Sequence, residues 1–148
     1  MKYTFMKKLP FITFVLLGFL SFSQEMDCND FKNGSYKAIM IEPIKIEWQI
    51  IRNGNEQIEK IIELPDELKD LNYPTDPLYV TIEWISDCSY KALYDETKSE
   101  LTESQKLVNN MGGIITEITN IDGNCYDYRT IMKVGETEQI LNGRMCKE

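Results

Sequence analysis

Four cysteines are the residues whose chemistry the sequence specifies best: Cys28, Cys88, Cys125 and Cys146. An even number of cysteines is typical of exported proteins with disulfides, and four cysteines allow three pairings. Four thiolates could instead bind zinc, but the chain has no histidine and no two of these cysteines have the Cys-x-x-Cys spacing of zinc sites. We therefore expect two disulfides, no metal site and no cofactor.

Residues suited to acid–base or nucleophilic catalysis are few. The chain lacks histidine, the usual general base near neutral pH, and thiols that are held in disulfides are not nucleophiles. The 24 acidic residues must include pairs that lie close by chance, and the sequence does not reveal the separation on which carboxylate-pair catalysis depends. We therefore expect a protein without enzymatic activity.

Oxygen-rich segments offer three candidate cation sites. Residues 120–124 place oxygen ligands at alternate positions, as in the first part of a calcium loop, but the twelfth position is Ile131, where such a loop has glutamate. We interpret this segment as a hairpin turn. Two acidic clusters are interpreted as solvated surface. The clusters are Glu63, Asp66 and Glu67, and Asp95, Glu96, Glu100 and Glu103.

Six aromatic side chains fall on the predicted inner face of a sheet and are the candidate interior or ligand-lining residues. Eight strands enclose a space that such side chains can fill. The same indole and phenol groups could instead line a cavity for an apolar or amphipathic ligand. We favour a filled core, hence a module that binds an unknown protein partner, with a carrier of a small apolar ligand as the alternative. The six residues are Trp48, Trp84, Tyr90, Tyr94, Tyr126 and Tyr128.

The first 23 residues predict a secretory signal peptide. Three lysines precede an apolar run at 11–22, and serines stand at the two positions that a signal peptidase reads. The run is too short to span a bilayer comfortably, so we expect cleavage after Ser23, no stable membrane anchor, and a periplasmic or secreted location. Residues 24–148 then form one domain. Their acidic balance repels phosphates, so nucleic acid is not an expected partner.

Short β-branched and aromatic runs, broken by Gly, Asn, Asp and Pro, predict an all-β domain. Successive hairpins favour an antiparallel up-and-down meander of about eight strands, which closes into a barrel or folds over as a sandwich. Two short helices are predicted at 65–71 and 102–110, the second with Thr102 and Gln105 at capping-box spacing. The predicted strands are 34–42, 44–52, 56–63, 78–85, 89–95, 112–120, 125–133 and 137–146.

The last hairpin has the clearest register. Its residues 135–136 have the pattern of a two-residue type II′ turn, with glycine first. This turn places Cys125 directly opposite Cys146, at a non-hydrogen-bonded pair where side chains are close enough for a disulfide. We therefore predict a Cys125–Cys146 bridge and, by elimination, a Cys28–Cys88 bridge.

Two more pairings follow from turn positions. In the last hairpin, Tyr128 comes opposite Gly143, where an aromatic ring can cover the bare backbone. A three-residue loop at 86–88 pairs Trp84 with Tyr90, and this register puts the apolar residues of that hairpin on one face.

The hairpin around residue 54 allows two registers. A two-residue Asn53-Gly54 turn is the stronger local signal, but it would set Ile50 opposite Gln57. An odd loop, 53–55, pairs Ile50 with Ile58 and keeps isoleucines on one face. We prefer the odd loop because it aligns the apolar residues.

Three short motifs resemble those of a group of small exported bacterial proteins of unknown function. They are Cys-x-x-Phe-x-x-Gly-x-aromatic at 28–36, Arg-Asn-x-x-x-Gln at 52–57, and Trp-x-Ser-Asp-Cys-x-Tyr at 84–90. Some members carry the label DNA topoisomerase IV, which a small acidic chain without a Gly-rich nucleotide loop does not support. The segment at 34–36 is also similar to the first strand of lipocalin-like barrels, which implies such a barrel as the fold.

Overall fold

The computed structural model describes residues 25–40, 45–69 and 75–148. The predicted signal peptide, residues 41–44 at the junction of the first two predicted strands, and residues 70–71 of the first predicted helix lie outside the described residues. Within them, eight strands lie where the sequence predicts them, to within two residues at every boundary. They are β1 Gly34–Met40, β2 Ile46–Asn53, β3 Glu56–Glu63, β4 Leu78–Ser86, β5 Ser89–Tyr94, β6 Ile114–Asp122, β7 Cys125–Val134 and β8 Thr137–Lys147.

The eight strands form one closed antiparallel barrel in chain order, with β8 paired to β1. This confirms the all-β meander and selects the barrel over the folded-over sandwich. Closure pairs the backbone of β1 and β8, which would otherwise be unpaired sheet edges. It also gathers the inward-facing side chains of every strand into one interior.

Helical segments lie in the connections. The predicted helices are present as α1 (Asp66–Lys69) and α2 (Glu103–Asn110), and the capping box of α2 forms between Thr102 and Gln105 as predicted. A 3₁₀ helix, Cys28–Phe31, precedes β1 and was not predicted. The side chain of Phe31 is fully buried, so this 3₁₀ helix covers one end of the barrel.

The registers predicted for the last and middle hairpins are confirmed. Cys125 lies opposite Cys146 and Tyr128 opposite Gly143 in β7–β8, and Trp84 pairs with Tyr90 in β4–β5. The predicted three-residue loop at 86–88 is instead a two-residue turn at 87–88, because a β-bulge after Trp84 lets Ser86 pair with Ser89. A Cβ atom at position 143 would collide with the phenol ring of Tyr128. Glycine therefore lets that ring lie flat against the strand.

Both registers considered for the β2–β3 hairpin are wrong. The turn is two residues long but lies at Gly54-Asn55, so Arg52 pairs with Gln57 and Ile50 with Glu59. Gly54 has φ of 63°, a left-handed conformation that glycine adopts without strain. The criterion of aligned isoleucines selected the wrong register because the interior of the barrel contains polar side chains at the level of this hairpin.

A shift of one residue reverses the two faces of a strand. In β3 the odd loop would have turned Ile58 and Ile62 inward; instead Gln57 and Glu59 line the interior, and Ile62 is 54% exposed. The corrected register therefore moves a carboxylate and an amide from the surface to the inside of the barrel.

The two ends of the barrel differ. The closed end carries the 3₁₀ helix and the turns at 54–55, 87–88 and 123–124; its core includes the buried side chains of Phe31, Tyr36 and Tyr126. The open end carries the longer connections with α1 and α2 and the turn at 135–136. The interior is packed at the closed end and contains a cavity toward the open end.

Candidate ligand-binding cavity

Arg52 is the organising residue of the closed end. Its side chain lies inside the barrel near the end of β2 and is only 2% exposed. Its guanidinium donates from Nε to Oε1 of Gln57 at 2.6 Å and from Nη2 to the phenolic oxygen of Tyr90 at 2.5 Å. Nη1 donates to the carbonyl oxygen of Phe31 and to the phenolic oxygen of Tyr126, both at 3.1 Å. These bonds compensate for removing the charge from water.

Aromatic rings surround the same guanidinium. Its carbon lies 4.5 Å from the ring centroid of Tyr90, 5.4 Å from that of Tyr36 and 5.9 Å from that of Trp84, within cation–π range. Burial by itself lowers the pKa of Arg52, but the neighbouring tyrosines outweigh it, so the group stays charged. Burial raises the pKa of Tyr36 to about 12, so this phenol stays protonated at neutral pH.

The three motifs that carry the sequence resemblance meet at this charge. The motif at 28–36 supplies the carbonyl oxygen of Phe31 and the ring of Tyr36. The motif at 52–57 supplies Arg52 and its partner Gln57, and the motif at 84–90 supplies Trp84 and Tyr90. Motifs that are distant in sequence therefore form one buried cluster around a single guanidinium.

Gln57 links Arg52 to the half-buried carboxylate of Glu59. Its amide oxygen accepts from Arg52, and its amide nitrogen donates to Oε1 of Glu59 at 2.5 Å. Arginine only donates and an ionised carboxylate only accepts, so these two partners fix the orientation of the amide. Burial raises the pKa of Glu59, and the Gln57 hydrogen bond and the Arg52 charge oppose that rise.

A cavity of about 310 Å³ occupies the barrel between this cluster and the open end. Its wall is mostly apolar, and Gln57 and Glu59 contribute to it on the β3 side. Glu59 is half-buried, and its side chain lines the cavity. The apolar side chains of the wall include Met40, Ile46, Ile50, Val80, Ala92, Ile114, Met132, Leu141 and Met145.

The six sequence-predicted aromatic residues separate into two groups. Trp48, Tyr90, Tyr94 and Tyr128 line the cavity. Tyr126 is fully buried in the closed-end core, and Trp84 packs against the ring of Tyr90 at 5.0 Å between centroids. The first group therefore belongs to a hollow part of the interior, and the second to a filled part.

Both predicted disulfides are present at the closed end. Cys28–Cys88 ties the 3₁₀ helix to the turn between β4 and β5, and Cys125–Cys146 joins β7 to β8. Lys147 adds a hydrogen bond from Nζ to the carbonyl oxygen of Asp30 in the 3₁₀ helix at 2.8 Å. The covalent links therefore hold the end of the barrel that the buried cluster fills. Two disulfides are typical of an oxidising, extracellular environment.

Sequence reasoning did not find Arg52, Gln57 and Glu59 as interior residues. The sequence pattern that could have identified them is the alternation of Gln57, Glu59 and Ile61 on a strand opposite one that carries an arginine. An apolar-face criterion discards such a pattern, because it places polar residues outside by default. A pairing of the arginine with the glutamine would have pointed to the observed register.

The candidate cation sites take other roles in the structure. In the segment at 120–124, residues 120–122 are the end of β6 and residues 123–124 form the hairpin turn, across which Asp122 pairs with Cys125. In the acidic clusters, Asp66 and Glu103 form ion pairs with lysines three residues further along the chain. These are exposed pairs of the kind that contributes little to stability.

Replacing Glu59 by glutamine is expected to change how stability depends on pH. The folded-state pKa of Glu59 lies above its ordinary value of 4.5, so between these two values the native state binds more protons than the unfolded chain. The wild-type free energy of unfolding should therefore fall, relative to the Glu59→Gln variant, as pH rises through this interval. Urea titrations at several pH values measure the difference.

The exposed Glu63 on the same strand provides the control. A Glu63→Gln variant should follow the wild-type pH dependence. A stability difference between wild type and Glu59→Gln that stays constant from pH 4 to pH 8 would contradict a raised pKa at Glu59.

Comparisons bear on the chain as a whole. Within the described ranges, no helix has the length and apolar character needed to cross a membrane. Comparisons with protein-family models, with curated proteins and with solved structures found no match to this chain. Function must therefore be inferred from the cavity and its surroundings.

Proposed function

We propose that this protein is an exported, non-enzymatic binding protein that holds a small, mainly apolar molecule inside its barrel, in the manner of a lipocalin-like carrier. The observation that carries the proposal is the cavity of about 310 Å³ with its largely apolar wall. Ligand sites in proteins are concave and mostly apolar, with few polar groups to orient the ligand. This cavity has that composition.

The size of the cavity limits the ligand. A water molecule occupies roughly 30 Å³ in the liquid, so the volume corresponds to roughly ten non-hydrogen atoms. Moving apolar groups of a ligand from water into such a wall stabilises the complex by about 0.8 kcal/mol per methylene. A medium-chain or small cyclic compound fits these limits, and octan-1-ol is of that size.

The construction of the barrel supports a binding role. The disulfides and the Arg52 cluster fix the closed end, while the longer connections lie at the open end beside the cavity. A preformed cavity on a fixed frame reduces the ordering cost of binding. The closed end thus acts as the floor of the site.

Filling the cavity tests the proposal. Leu141 lines the cavity, whereas its neighbour Ile140 points outward and is 52% exposed. Leu141→Trp places an indole in the space, and we expect it to weaken octan-1-ol binding at least tenfold in isothermal titration calorimetry. Ile140→Trp adds the same side chain outside and should bind as the wild type does.

Two outcomes would count against a carrier. Failure of the wild type to bind octan-1-ol or any compound of similar size and polarity would refute the proposal. Equal binding by the wild type and Leu141→Trp would show that the ligand binds outside the barrel.

The exported location is part of the proposal and has its own test. The two disulfides agree with an oxidising compartment, and the predicted signal supplies the route. The intact mass of the protein recovered outside the cytosol should correspond to a chain that begins at Gln24. A mature chain that retains residues 1–23 would contradict cleavage.

An interaction module is the second candidate function, and one surface feature favours it. Ile115, Ile131 and Ile140 lie side by side on the outer face of β6, β7 and β8, and Ile115 and Ile140 are 36% and 52% exposed. Such a row could contact a protein partner. It is a short row of three side chains, so we rank it below the cavity.

A further inference from the structure

Glu59 and Tyr128, two polar groups of the cavity wall, have hydrogen-bonding capacity that the described residues leave unused. Gln57 is the one donor to the carboxylate of Glu59 among the described residues, and it contacts Oε1 only. The hydroxyl of Tyr128 has no hydrogen-bond partner within the same part of the chain. The side chains of Glu59 and Tyr128 both line the cavity, and the phenol end of Tyr128 lies against Gly143 of β8.

Four other polar side chains of the wall, those of Thr116, Thr130, Tyr90 and Gln57, each have a hydrogen-bond partner, whereas the indole N–H of Trp48 has none among the described residues. The hydroxyls of Thr116 and Thr130 lie 3.3 Å apart and can bond to each other, and the phenol of Tyr90 accepts from Arg52. Gln57 accepts a hydrogen bond through its amide oxygen and donates one through its amide nitrogen. Glu59 offers an acceptor and Tyr128 a donor to a ligand in the cavity, and the two groups lie near enough for the charge of Glu59 to raise the pKa of Tyr128.

Charge balance limits the ligand further. Arg52 and Glu59 are joined through Gln57, so the charge of Arg52 is balanced inside the barrel when Glu59 is ionised. A cationic ligand would leave an excess positive charge beside Arg52, and an anionic one would face Glu59. Each would bury an uncompensated charge, which is costly. An uncharged ligand keeps the balance.

We propose that the cavity selects neutral, mainly apolar alcohols, whose hydroxyl donates to Glu59 and accepts from Tyr128. A hydroxyl has one donor and two lone pairs, so it can satisfy both groups at once. An ammonium group has no lone pair for Tyr128. Burial first, and then the charge of Glu59, raise the pKa of Tyr128, so its phenol remains protonated and can donate. This assignment rests on the binding role proposed above and names the ligand class.

Three ligands of nearly equal size distinguish a neutral hydrogen-bond donor, a neutral molecule that only accepts, and a cation. Octan-1-ol and 1-methoxyheptane are isomers, and only the alcohol can donate. Octylamine is cationic at neutral pH. We expect the wild type to bind the alcohol about tenfold more tightly than the ether, since a hydrogen bond to a charged group is stronger than a neutral one. The amine should bind more weakly than the alcohol.

Variants assign the preference to Glu59. For each protein, the ratio of the alcohol affinity to the ether affinity is measured by calorimetry. The two ligands differ in hydration by the same amount for every protein, so this difference cancels when the ratios of two proteins are compared. Glu59→Leu should reduce this ratio about tenfold, and Glu59→Gln, which keeps the shape, should reduce it several-fold. Tyr128→Phe should weaken alcohol binding. Glu63→Gln, on the same strand but exposed, should leave the ratio unchanged.

The outcomes distinguish the two proposals. An unchanged ratio in both Glu59 variants would overturn the alcohol assignment, although binding itself would leave the carrier role intact. Tighter binding of octylamine than of octan-1-ol would overturn the neutral-ligand assignment in the same way. Absence of binding of all three ligands to the wild type would overturn both proposals.

Discussion

Replacing Arg52 by methionine is expected to lower the free energy of unfolding by about 3–5 kcal/mol. Methionine fills a similar volume but donates no hydrogen bond. The carbonyl oxygen of Phe31 and the amide oxygen of Gln57 would lose their donor inside the barrel, and Tyr90 and Tyr126 would lose theirs. The negative charge of Glu59 would also lose its counter-charge. Urea titration followed by tryptophan fluorescence measures the change.

Arg129 provides the matched control for this substitution. It pairs with Glu117 on the outer surface of β6 and β7, where an exposed ion pair contributes about 0.2–1 kcal/mol. Arg129→Met should therefore cost less than about 1 kcal/mol. Similar losses at both positions would contradict the role of Arg52 as the centre of the closed-end core.

Removing the Cys28–Cys88 disulfide is expected to have the second largest effect. The bridge closes a loop with a sequence separation of 60, against 21 for Cys125–Cys146. The chain-entropy model assigns about 4 kcal/mol to the longer loop and about 3 kcal/mol to the shorter. The Cys28→Ser/Cys88→Ser variant should therefore melt at a lower temperature than Cys125→Ser/Cys146→Ser.

The position of the Cys28–Cys88 bridge in the fold adds to the stabilising effect of its longer loop. Loss of Cys28–Cys88 frees the 3₁₀ helix, whose Phe31 supplies a carbonyl oxygen to Arg52 and a buried ring to the core. Cys125 and Cys146 remain neighbours through the β7–β8 ladder even without their bridge. Differential scanning calorimetry decides the order. A larger loss on removing Cys125–Cys146 would refute this account of the closed end.

The parts of the fold that the sequence predicted are those with strong local signals. Gly135-Glu136 fixes the register of β7–β8 because a two-residue turn with glycine first matches the twist of the flanking strands. That single turn was sufficient to place Cys125 opposite Cys146 and, by elimination, to pair the other two cysteines. The Thr102–Gln105 capping box likewise located the start of α2.

The β2–β3 hairpin shows where sequence reasoning fails. The choice of register there depended on which residues face inward, and the rule that apolar residues do so selected Ile58 over Gln57. The rule fails because Arg52 from β2 needs an acceptor at that level, and Gln57 is that acceptor. Only the three-dimensional position of Tyr90 and Tyr126, from distant strands, shows that the barrel can accommodate this charge.

The candidate site was predicted only in part. Periodicity identified Trp48, Tyr90, Tyr94 and Tyr128 as inward-facing, and they line the cavity. Whether inward side chains fill a barrel depends on their summed volume against the enclosed space, which periodicity does not measure. Small residues such as Ala38 and Ala92 on the inner face left space, but their effect depends on which side chains lie across the barrel.

Methionine methyl groups offer the most direct test of ligand binding inside the barrel. Met40, Met132 and Met145 line the cavity, whereas Met26 packs against the closed-end core. With ¹³C-methyl methionine and two-dimensional NMR, titration with octan-1-ol should shift the signals of the three cavity methyls and leave that of Met26 in place. Cavity methyl signals that stay fixed at saturating ligand would contradict a binding site within the barrel.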